Sequence, residues 1–448
     1  MFRPAGTRPD PGVLAGCIRE HRRGAERLKK LKRYYAGEPD IFRKTRDNPL
    51  ARNNIVAAPN AFYITTVANG FTFANPLIYR GDNIDNLLAE LKLAKSESHD
   101  AELGENLSIY GRGYELVYMS GEPSPHVKLQ NLPPEGAFVV YSSEIDPEPM
   151  FAVYYFPVAG ADGRREGWRL NVYDRTGLTV YRADSGLTSF RPEEGERPHY
   201  AGQVPIVEYK NNDEGIGDFE RVLTLIDAYD RLMSDRIDDK DQFIDAILAI
   251  YGARLSEDEE ELPGVMQTLK EYRILDNMPQ EARAEYLKNA LDEQGVETLR
   301  TALRQDIAKF SMVPELTDES FAGVSSGVAM EYKTLGLKWL GNMKRRMFKK
   351  GLDRRLQIMN AYMEPLGRGF DWTGVDVVFD SALPVNREAL FPYAQTALSR
   401  RTMIANLAGP FNVADVDEEM DQVSAEEEQS VARQNALFSG GQPFGEGA

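Results

Sequence analysis

The sequence predicts an α+β protein. Apolar residues recur every three or four positions towards both ends of the chain, which is the helix period. Between residues 113 and 210 the period changes to short aromatic and β-branched runs separated by turns such as Asp162-Gly163, which predicts antiparallel strands. A chain of 448 residues has room for several such domains.

The N-terminal half is predicted as helices followed by a sheet. Residues 1–11, rich in Pro, Gly and Arg, are expected to be disordered. Gly70 and the Asn75-Pro76 turn are expected to end the second helix. The predicted helices are 12–35, 60–69 and 86–111, and the predicted strands are 114–118, 137–141, 151–156, 168–173 and 178–181.

After residue 212 the helix period returns, with Asp218 as the expected N-cap. The stretch 213–245 holds eleven acids and four bases. A helix of about 35 residues would be about 50 Å long, more than a compact domain needs. Residues 252–291 are predicted as a small module with a strand-like run at 272–275 and a short amphipathic piece at 286–287, and a second helix is predicted at 292–311.

The C-terminal part begins with a Gly/Ser-rich polar stretch, 314–327, expected to be a flexible loop. A long helix is predicted at 328–363; its segment 328–355 carries nine bases and two acids. A short strand is predicted at 375–379, and helices resume at 386 before an acidic tail.

Composition excludes several classes of protein. The net charge of −17 argues against general binding to polyanions. The lone Cys17 forms no intrachain disulfide, and the pattern predicts a reducing, cytoplasmic folding compartment. No apolar run approaches a membrane span, and the first residues lack a signal-peptide core. No phosphate-binding loop or zinc pattern occurs, so no cofactor or metal is expected.

One motif points to an enzyme. Residues 323–327 match the Gly-x-Ser-x-Gly nucleophile elbow, with Ser325 as the candidate nucleophile. That chemistry needs a buried strand before the serine and a histidine after it, whereas 314–320 is polar and every histidine lies upstream. The pattern therefore disfavours a hydrolase and leaves no catalytic residues.

The order of motifs resembles the portal (connector) proteins of tailed bacteriophages, in the long-tailed branch typified by a Bacillus phage. The motifs that carry this resemblance are Arg33-Tyr34-Tyr35-Ala36-Gly37, Arg52-Asn53-Asn54-Ile55-Val56, Asn69-Gly70-Phe71-Thr72-Phe73-Ala74-Asn75-Pro76, Tyr110-Gly111-Arg112-Gly113-Tyr114, Val204-Pro205-Ile206-Val207-Glu208-Tyr209-Lys210-Asn211-Asn212, Leu225-Ile226-Asp227-Ala228-Tyr229-Asp230 and Ser326-Gly327-Val328-Ala329-Met330-Glu331-Tyr332-Lys333.

The resemblance implies a portal-type fold and a ring of about twelve subunits at one capsid vertex, assembled in the host cytoplasm. Double-stranded DNA would pass through the ring, which would meet the terminase large subunit, a head–tail adaptor, and the major capsid and scaffolding proteins. The implied parts are an N-terminal wing (1–215), a stem helix (216–251), a clip (252–291), a second stem helix (292–313), a tunnel loop (314–327), a long kinked wing helix (328–366), a wing return strand (367–385), and a C-terminal helical crown with the acidic tail (386–448).

Four groups of candidate site residues follow. The acidic stem is expected either to line the DNA bore or to form a solvated face, through Asp235, Asp238, Asp239 and Asp245. The tunnel loop is expected either to touch DNA or to be a plain connector, through Glu319, Ser320, Phe321, Val324, Ser325 and Ser326. The candidate clip contacts to partners are Glu259, Glu260, Tyr272 and Arg273.

The fourth group lies on the basic helix. Its cations wrap around much of the helix, which favours ion pairs within one subunit or between subunits over direct contact with DNA. The candidates are Lys338, Lys344, Arg345, Arg346, Lys349 and Lys350. Two rival interpretations stay open at this point: a capsid or tail-assembly protein without a channel, and a serine hydrolase.

Overall fold

The protein is described by a computed structural model that covers most of the chain and divides into two compact units, 1–382 and 383–448. The described residues are 1–46, 52–121, 124–160, 163–193, 195–244, 247–251, 263–264, 267, 281–287, 293–316, 327–380, 398–411 and 416–439. Helices and strands are both abundant, which confirms the α+β class.

The elements are numbered here in chain order. The helices are α1 (Pro11–Tyr35), α2 (Asn60–Phe73), α3 (Asp85–Leu93), α4 (Ser96–Tyr110), α5 (Leu223–Ile244), α6 (Glu293–Ser311), α7 (Gly327–Lys333), α8 (Leu335–Met363), α9 (Arg400–Phe411) and α10 (Val416–Ser439). The strands are β1 (Phe2–Arg3), β2 (Ile78–Arg80), β3 (Arg112–Ser120), β4 (His126–Leu132), β5 (Ala137–Ser142), β6 (Pro149–Ala159), β7 (Arg165–Tyr173), β8 (Gly177–Ala183), β9 (Phe190–Pro192), β10 (Arg197–Pro198), β11 (Ile206–Lys210), β12 (Ile247–Tyr251), β13 (Arg283–Leu287) and β14 (Asp376–Val378).

The strands of the central region, together with β1, form two sheets. The larger has the order β1-β5-β6-β7-β8-β10, with β9 also paired to β8, and the smaller has the order β11-β3-β4. All these pairings are antiparallel except that of β1 with β5. A shared apolar cluster, including Tyr114, Val139 and Ile206, joins the two sheets.

The first eleven residues are ordered, contrary to the prediction. Phe2 and Arg3 extend the larger sheet beside Tyr141 and Ser142. Asp10 then caps α1, because its side chain accepts a hydrogen bond from the Val13 backbone N–H. Helix α1 packs its apolar face on the larger sheet in a cluster that includes Leu14 and Phe151.

The core of the first unit forms around α8. Leu352, Leu356 and Met359 are buried there with side chains of α3, α4 and the smaller sheet. Gly351 permits the close packing of this helix on β11, since a Cβ at that position would lie 2.3 Å from the Tyr209 ring. The long helix is therefore fixed to the sheet along much of its length.

Three predicted helices have different boundaries in the structure. Helix α2 continues past Gly70 to Phe73. The stretch 86–111 forms two helices, and Lys95 between them adopts a left-handed backbone with φ of 54°. The long C-terminal helix is interrupted at Thr334, which separates α7 from α8.

The first of the two predicted stem helices is shorter than expected. A short 3₁₀ turn at Glu220–Val222 leads into α5, which ends at Ile244. Residues 247–251 form β12, which pairs antiparallel with β13, so the amphipathic piece predicted at 286–287 is also a strand. The second helix, α6, starts and ends within one residue of its prediction.

The second unit contains α9 and α10. Arg400 pairs with Glu427, and Arg401 pairs with Asp417, so ion pairs join the two helices. The acidic tail belongs to α10 and is helical up to Ser439.

Candidate functional site

Helix α5 carries a line of polar side chains that binds an extended segment of the same chain. Asp230, Ser234 and Asp238 are fully buried and stand four residues apart, on one face of the helix. They accept hydrogen bonds from the backbone N–H groups of Ala58 (2.9 Å), Val56 (3.0 Å) and Asn54 (2.6 Å) respectively. Residues 52–58, named the strap below, thus run along α5, and alternate N–H groups of the strap meet successive helical turns.

Two cations near the strap neutralise part of the acidic helix. Lys44 and Arg46 each form ion pairs with both Asp235 and Asp238, at 2.8–2.9 Å. Burial alone would raise the pKa of Asp238, but hydrogen bonds from Lys44, Asn54 and Arg46 hold that pKa well below its usual range. Asp238 is therefore an ionised structural residue inside the protomer.

The four candidate acids of the first stem helix thus differ in their surroundings. Asp238 is covered by its own chain and cannot present its carboxylate to a bore. Asp235 is 43% exposed but already paired, whereas Asp239 is exposed. Asp245 lies outside the described residues.

Asp230 is a member of this polar line whose carboxylate is only partly hydrogen-bonded. Its Oδ1 accepts from Ala58, but its buried Oδ2 has no hydrogen-bond partner. Burial raises the pKa of Asp230 to about 6, and the neighbouring Asp227 carboxylate also raises it.

The two long helices α5 and α6 are joined by surface ion pairs. Arg236 contacts Glu293 and Glu297, each at 3.0 Å, and Lys240 also contacts Glu293. Hydrogen bonds from Arg300 and Arg236 lower the pKa of Glu297 to about 2. These contacts orient the two helices and contribute little stability each, because they are exposed to solvent.

The segment that follows α6 is held by a tyrosine from α2. The Tyr63 hydroxyl donates to the Pro314 carbonyl and accepts from the Leu316 backbone N–H, both at 2.8 Å. Arg304 of α6 pairs with Glu315 between those two positions, at 2.8 Å. Residues 314–316 are therefore fixed to α2 and α6.

On α8, Lys344 and Lys349 form the closest ion pairs of the predicted basic residues. Lys344 is fully buried; its Nζ lies 2.7 Å from Asp218 and also donates to Ser108. This contact ties α8 to the turn that leads into α5. Lys349 pairs with Asp376 of β14 at 2.6 Å.

The other basic candidates on α8 face different surroundings. The Arg345 guanidinium lies over the Phe71 ring, 5.3 Å from its centroid. Lys338 contacts Glu331 at 3.5 Å. Arg346 and Lys350 are exposed, so these two remain candidates for contact with another subunit, whereas Lys344 acts inside the protomer.

A second buried charge cluster on α8 was not predicted from the sequence. Arg355 is fully buried and lies 2.6 Å from Asp100 of α4 and 2.8 Å from Glu115 of β3. Glu115 also receives the Tyr209 hydroxyl and contacts His99. Burial alone would raise the pKa of Glu115, but the Arg355 guanidinium and His99 lower it to about 2.

The comparisons with known proteins cover most of the chain. The model of the family described as "Phage portal protein, SPP1 Gp6-like" matches residues 14–432. The chain belongs to this family. The portal protein of Bacillus phage SPP1 is 23% identical over 386 residues, which cover 81% of this chain and 74% of that protein. The predicted family is thereby confirmed.

Among solved structures, the chain resembles one titled "Neck of empty GTA particle computed with C6 symmetry". The TM-score is 0.45 with 16% sequence identity, and the match covers 85% of this chain and 93% of that chain.

Membership of the portal family decides between the classes left open by the sequence. Portal proteins are structural, non-enzymatic components of the phage virion that serve in DNA packaging. The hydrolase interpretation is therefore set aside. Across the described ranges no group of three or more His, Cys, Asp or Glu side chains is placed to hold a metal ion. No helix within those ranges is long and apolar enough to cross a membrane.

Two predicted groups of the portal chain lie outside the described residues. These are the tunnel-loop candidates Glu319, Ser320, Phe321, Val324, Ser325 and Ser326, and the clip candidates Glu259, Glu260, Tyr272 and Arg273.

Neither the strap nor Tyr63 was predicted from the sequence. The acids on the first stem helix were interpreted by their total charge and not by their spacing. The placement of Asp230, Ser234 and Asp238 at intervals of four is the signal that marks a polar contact line. Nothing in the sequence shows which segment occupies that line.

Proposed function

We propose that this portal protein closes into a ring of about twelve copies at one capsid vertex and that double-stranded DNA passes through the centre during packaging, retention and ejection. Membership of the portal family is the observation that carries the proposal. The paired long helices α5 and α6 support it, because they are suited to form the wall of a channel.

The dimensions of such a ring are compatible with DNA. Twelve helices about 10 Å wide give a circumference of about 120 Å and a radius of about 19 Å to the helix axes. Subtracting the radius of one helix, about 5 Å, from this ring radius leaves a bore about 28 Å across. A hydrated duplex, about 20 Å wide, fits within it.

The charge of the stem suits transport. Each basic contact with a phosphate adds affinity through the release of counterions and would slow a moving duplex. Acidic side chains repel phosphate and keep the wall free of such contacts. In the proposed ring, Asp239 serves this purpose, with Asp245 as a further candidate, because Asp238 is bound inside the protomer.

The remaining assignments follow the family resemblance. We assign 1–215 and 367–385 to the wing, 216–251 and 292–313 to the stem, 252–291 to the clip, 314–327 to the tunnel loop, 328–366 to the long wing helix and 386–448 to the crown. Because α5 ends at Ile244 and β12 pairs with β13, we then move residues 247–251 from the stem to the clip. The clip would meet the terminase large subunit and then the head–tail adaptor, and the outer surface would meet the capsid and scaffolding proteins. The assembly would form in the host cytoplasm and remain in the virion.

The ring itself can be tested by mass. Native mass spectrometry of the purified protein is expected to give a complex of about twelve chains, and negative-stain images are expected to show annular particles with a central hole. A single-chain mass at every salt and protein concentration tested would contradict the proposal.

The acidic wall is tested by reversing one charge. Asp239→Lys is expected to slow DNA packaging severalfold, since the added cations would bind phosphate, and the effect should shrink at higher salt. Asp146→Lys is the matched control, because Asp146 is an exposed acid in the loop between β5 and β6. Equal packaging rates for both variants and the wild type would show that Asp239 does not face the DNA.

A further inference from the structure

We propose that the strap and the first turn of α2 form a linkage through which α5 positions the end of α6 and residues 312–316. The consequence of this linkage for DNA transport rests on the proposed function, in which residues 317–326, the continuation of this segment, are assigned to the tunnel loop. The linkage itself is argued from contacts within one protomer.

At its first end, the linkage is held by buried polar contacts. Three backbone N–H groups of the strap have side-chain acceptors on α5, and Asn54 adds two bonds from its side chain, to Asp238 and Asp241. The Ser234 hydroxyl accepts from Val56 and in turn donates to the Asp230 carbonyl at 2.7 Å. Because a buried N–H without an acceptor is costly, the strap cannot slide along α5 without losing several bonds at once.

At its second end, the linkage is held by Tyr63. Its hydroxyl is both donor and acceptor to residues 314–316, so one side chain fixes two backbone groups. Burial raises the pKa of Tyr63, and the hydroxyl therefore stays protonated at neutral pH. The Arg304–Glu315 pair holds the same segment to α6.

The two ends are close in sequence and stiffly connected. Ala58 bonds to α5, and Tyr63 lies in the first turn of α2, where its backbone N–H bonds to the Pro59 carbonyl. Proline restricts the backbone at the junction, and the helical turn leaves little freedom between the two contacts. A shift of α5 relative to the strap is therefore expected to move Tyr63 and, with it, residues 314–316.

Coupling of this kind is reciprocal, so it can be measured from either end. Ser234→Ala removes the acceptor of the Val56 N–H, and Tyr63→Phe removes the hydroxyl that binds Leu316. Hydrogen exchange of the purified assembly, followed by mass spectrometry, reports both segments in one experiment. Thr224→Ala is the control, because Thr224 is exposed on the same helix.

We expect Ser234→Ala to speed exchange about tenfold in peptides covering 53–58 and also in peptides covering 313–316, because local opening becomes easier by about one hydrogen bond. Tyr63→Phe is expected to speed exchange in the same two segments, and Thr224→Ala in neither. Peptides from β6 and β7 monitor folding and should keep their protection in all three variants. If Ser234→Ala loosens only 53–58, or Tyr63→Phe only 313–316, the linkage is overturned.

The exchange experiment needs no DNA, so its outcome is independent of the proposed channel. A failed linkage with intact rings would leave the DNA channel standing. Intact coupling in a protein that forms no ring would refute the channel and retain the linkage.

Discussion

Replacement of Arg355 by Met is expected to lower the free energy of unfolding by about 3–5 kcal/mol at neutral pH. Arg355 is the guanidinium of a fully buried cluster, and its loss removes the ion-pair partner of Asp100 and of Glu115, although Glu115 keeps its contacts with Tyr209 and His99. An uncompensated buried carboxylate is far more costly than the pair is beneficial, which is why the expected effect is large. Urea or thermal unfolding of the purified protein measures it.

Lys350→Met is the matched control on the same helix, because Lys350 is exposed and its loss is expected to change stability by less than about 0.5 kcal/mol. Adding Glu115→Gln and Asp100→Asn to Arg355→Met removes the orphaned charges and should restore part of the lost stability. If Arg355→Met is as stable as the control, the cluster does not hold α8 to α4 and β3.

Most helices and strands could be predicted from the sequence, because the period of the apolar residues reflects which side chains are buried. The prediction was wrong where pairing with a distant segment overrides the local pattern. Residues 247–251 continue the apolar run of α5 and were predicted as helix, yet they are β-branched and aromatic enough to pair with β13. Phe2 and Arg3 carry no strand signal of their own and are ordered by the edge of β5.

The candidate site shows the same limit for charged residues. Residue counts gave the acidic character of α5 and the basic character of α8, but a charge count does not distinguish a solvated side chain from a buried pair. Asp238 and Lys344 look like their neighbours in sequence, whereas both are fully buried against partners remote in the chain. Such partners follow from the fold, which spacing alone does not determine.

Asp230→Asn is expected to stabilise the protein by about 1–3 kcal/mol at pH 7 and to have no stabilising effect near pH 4. Burial raises the pKa of Asp230 to about 6 from the ordinary value of 3.8. The folded state therefore holds this proton more tightly than the unfolded state, and stability falls as pH rises from about 4 to about 6. Asparagine carries no charge to desolvate, and its carbonyl oxygen can still accept from the Ala58 N–H.

The measurement is the unfolding free energy of wild type and variant between pH 4 and pH 8. The difference should grow from about pH 4 and level off above about pH 7, following the titration of one carboxyl. Asp227→Asn is the comparison variant: Asp227 lies one turn away and accepts the Tyr34 hydroxyl, so its replacement is expected to destabilise the protein rather than stabilise it. A constant difference across the range would mean that folding does not raise the pKa of Asp230. If the difference in unfolding free energy instead changes with pH as expected, the ionised Asp230 carboxylate at the contact between α5 and the strap destabilises the wild-type protein at neutral pH.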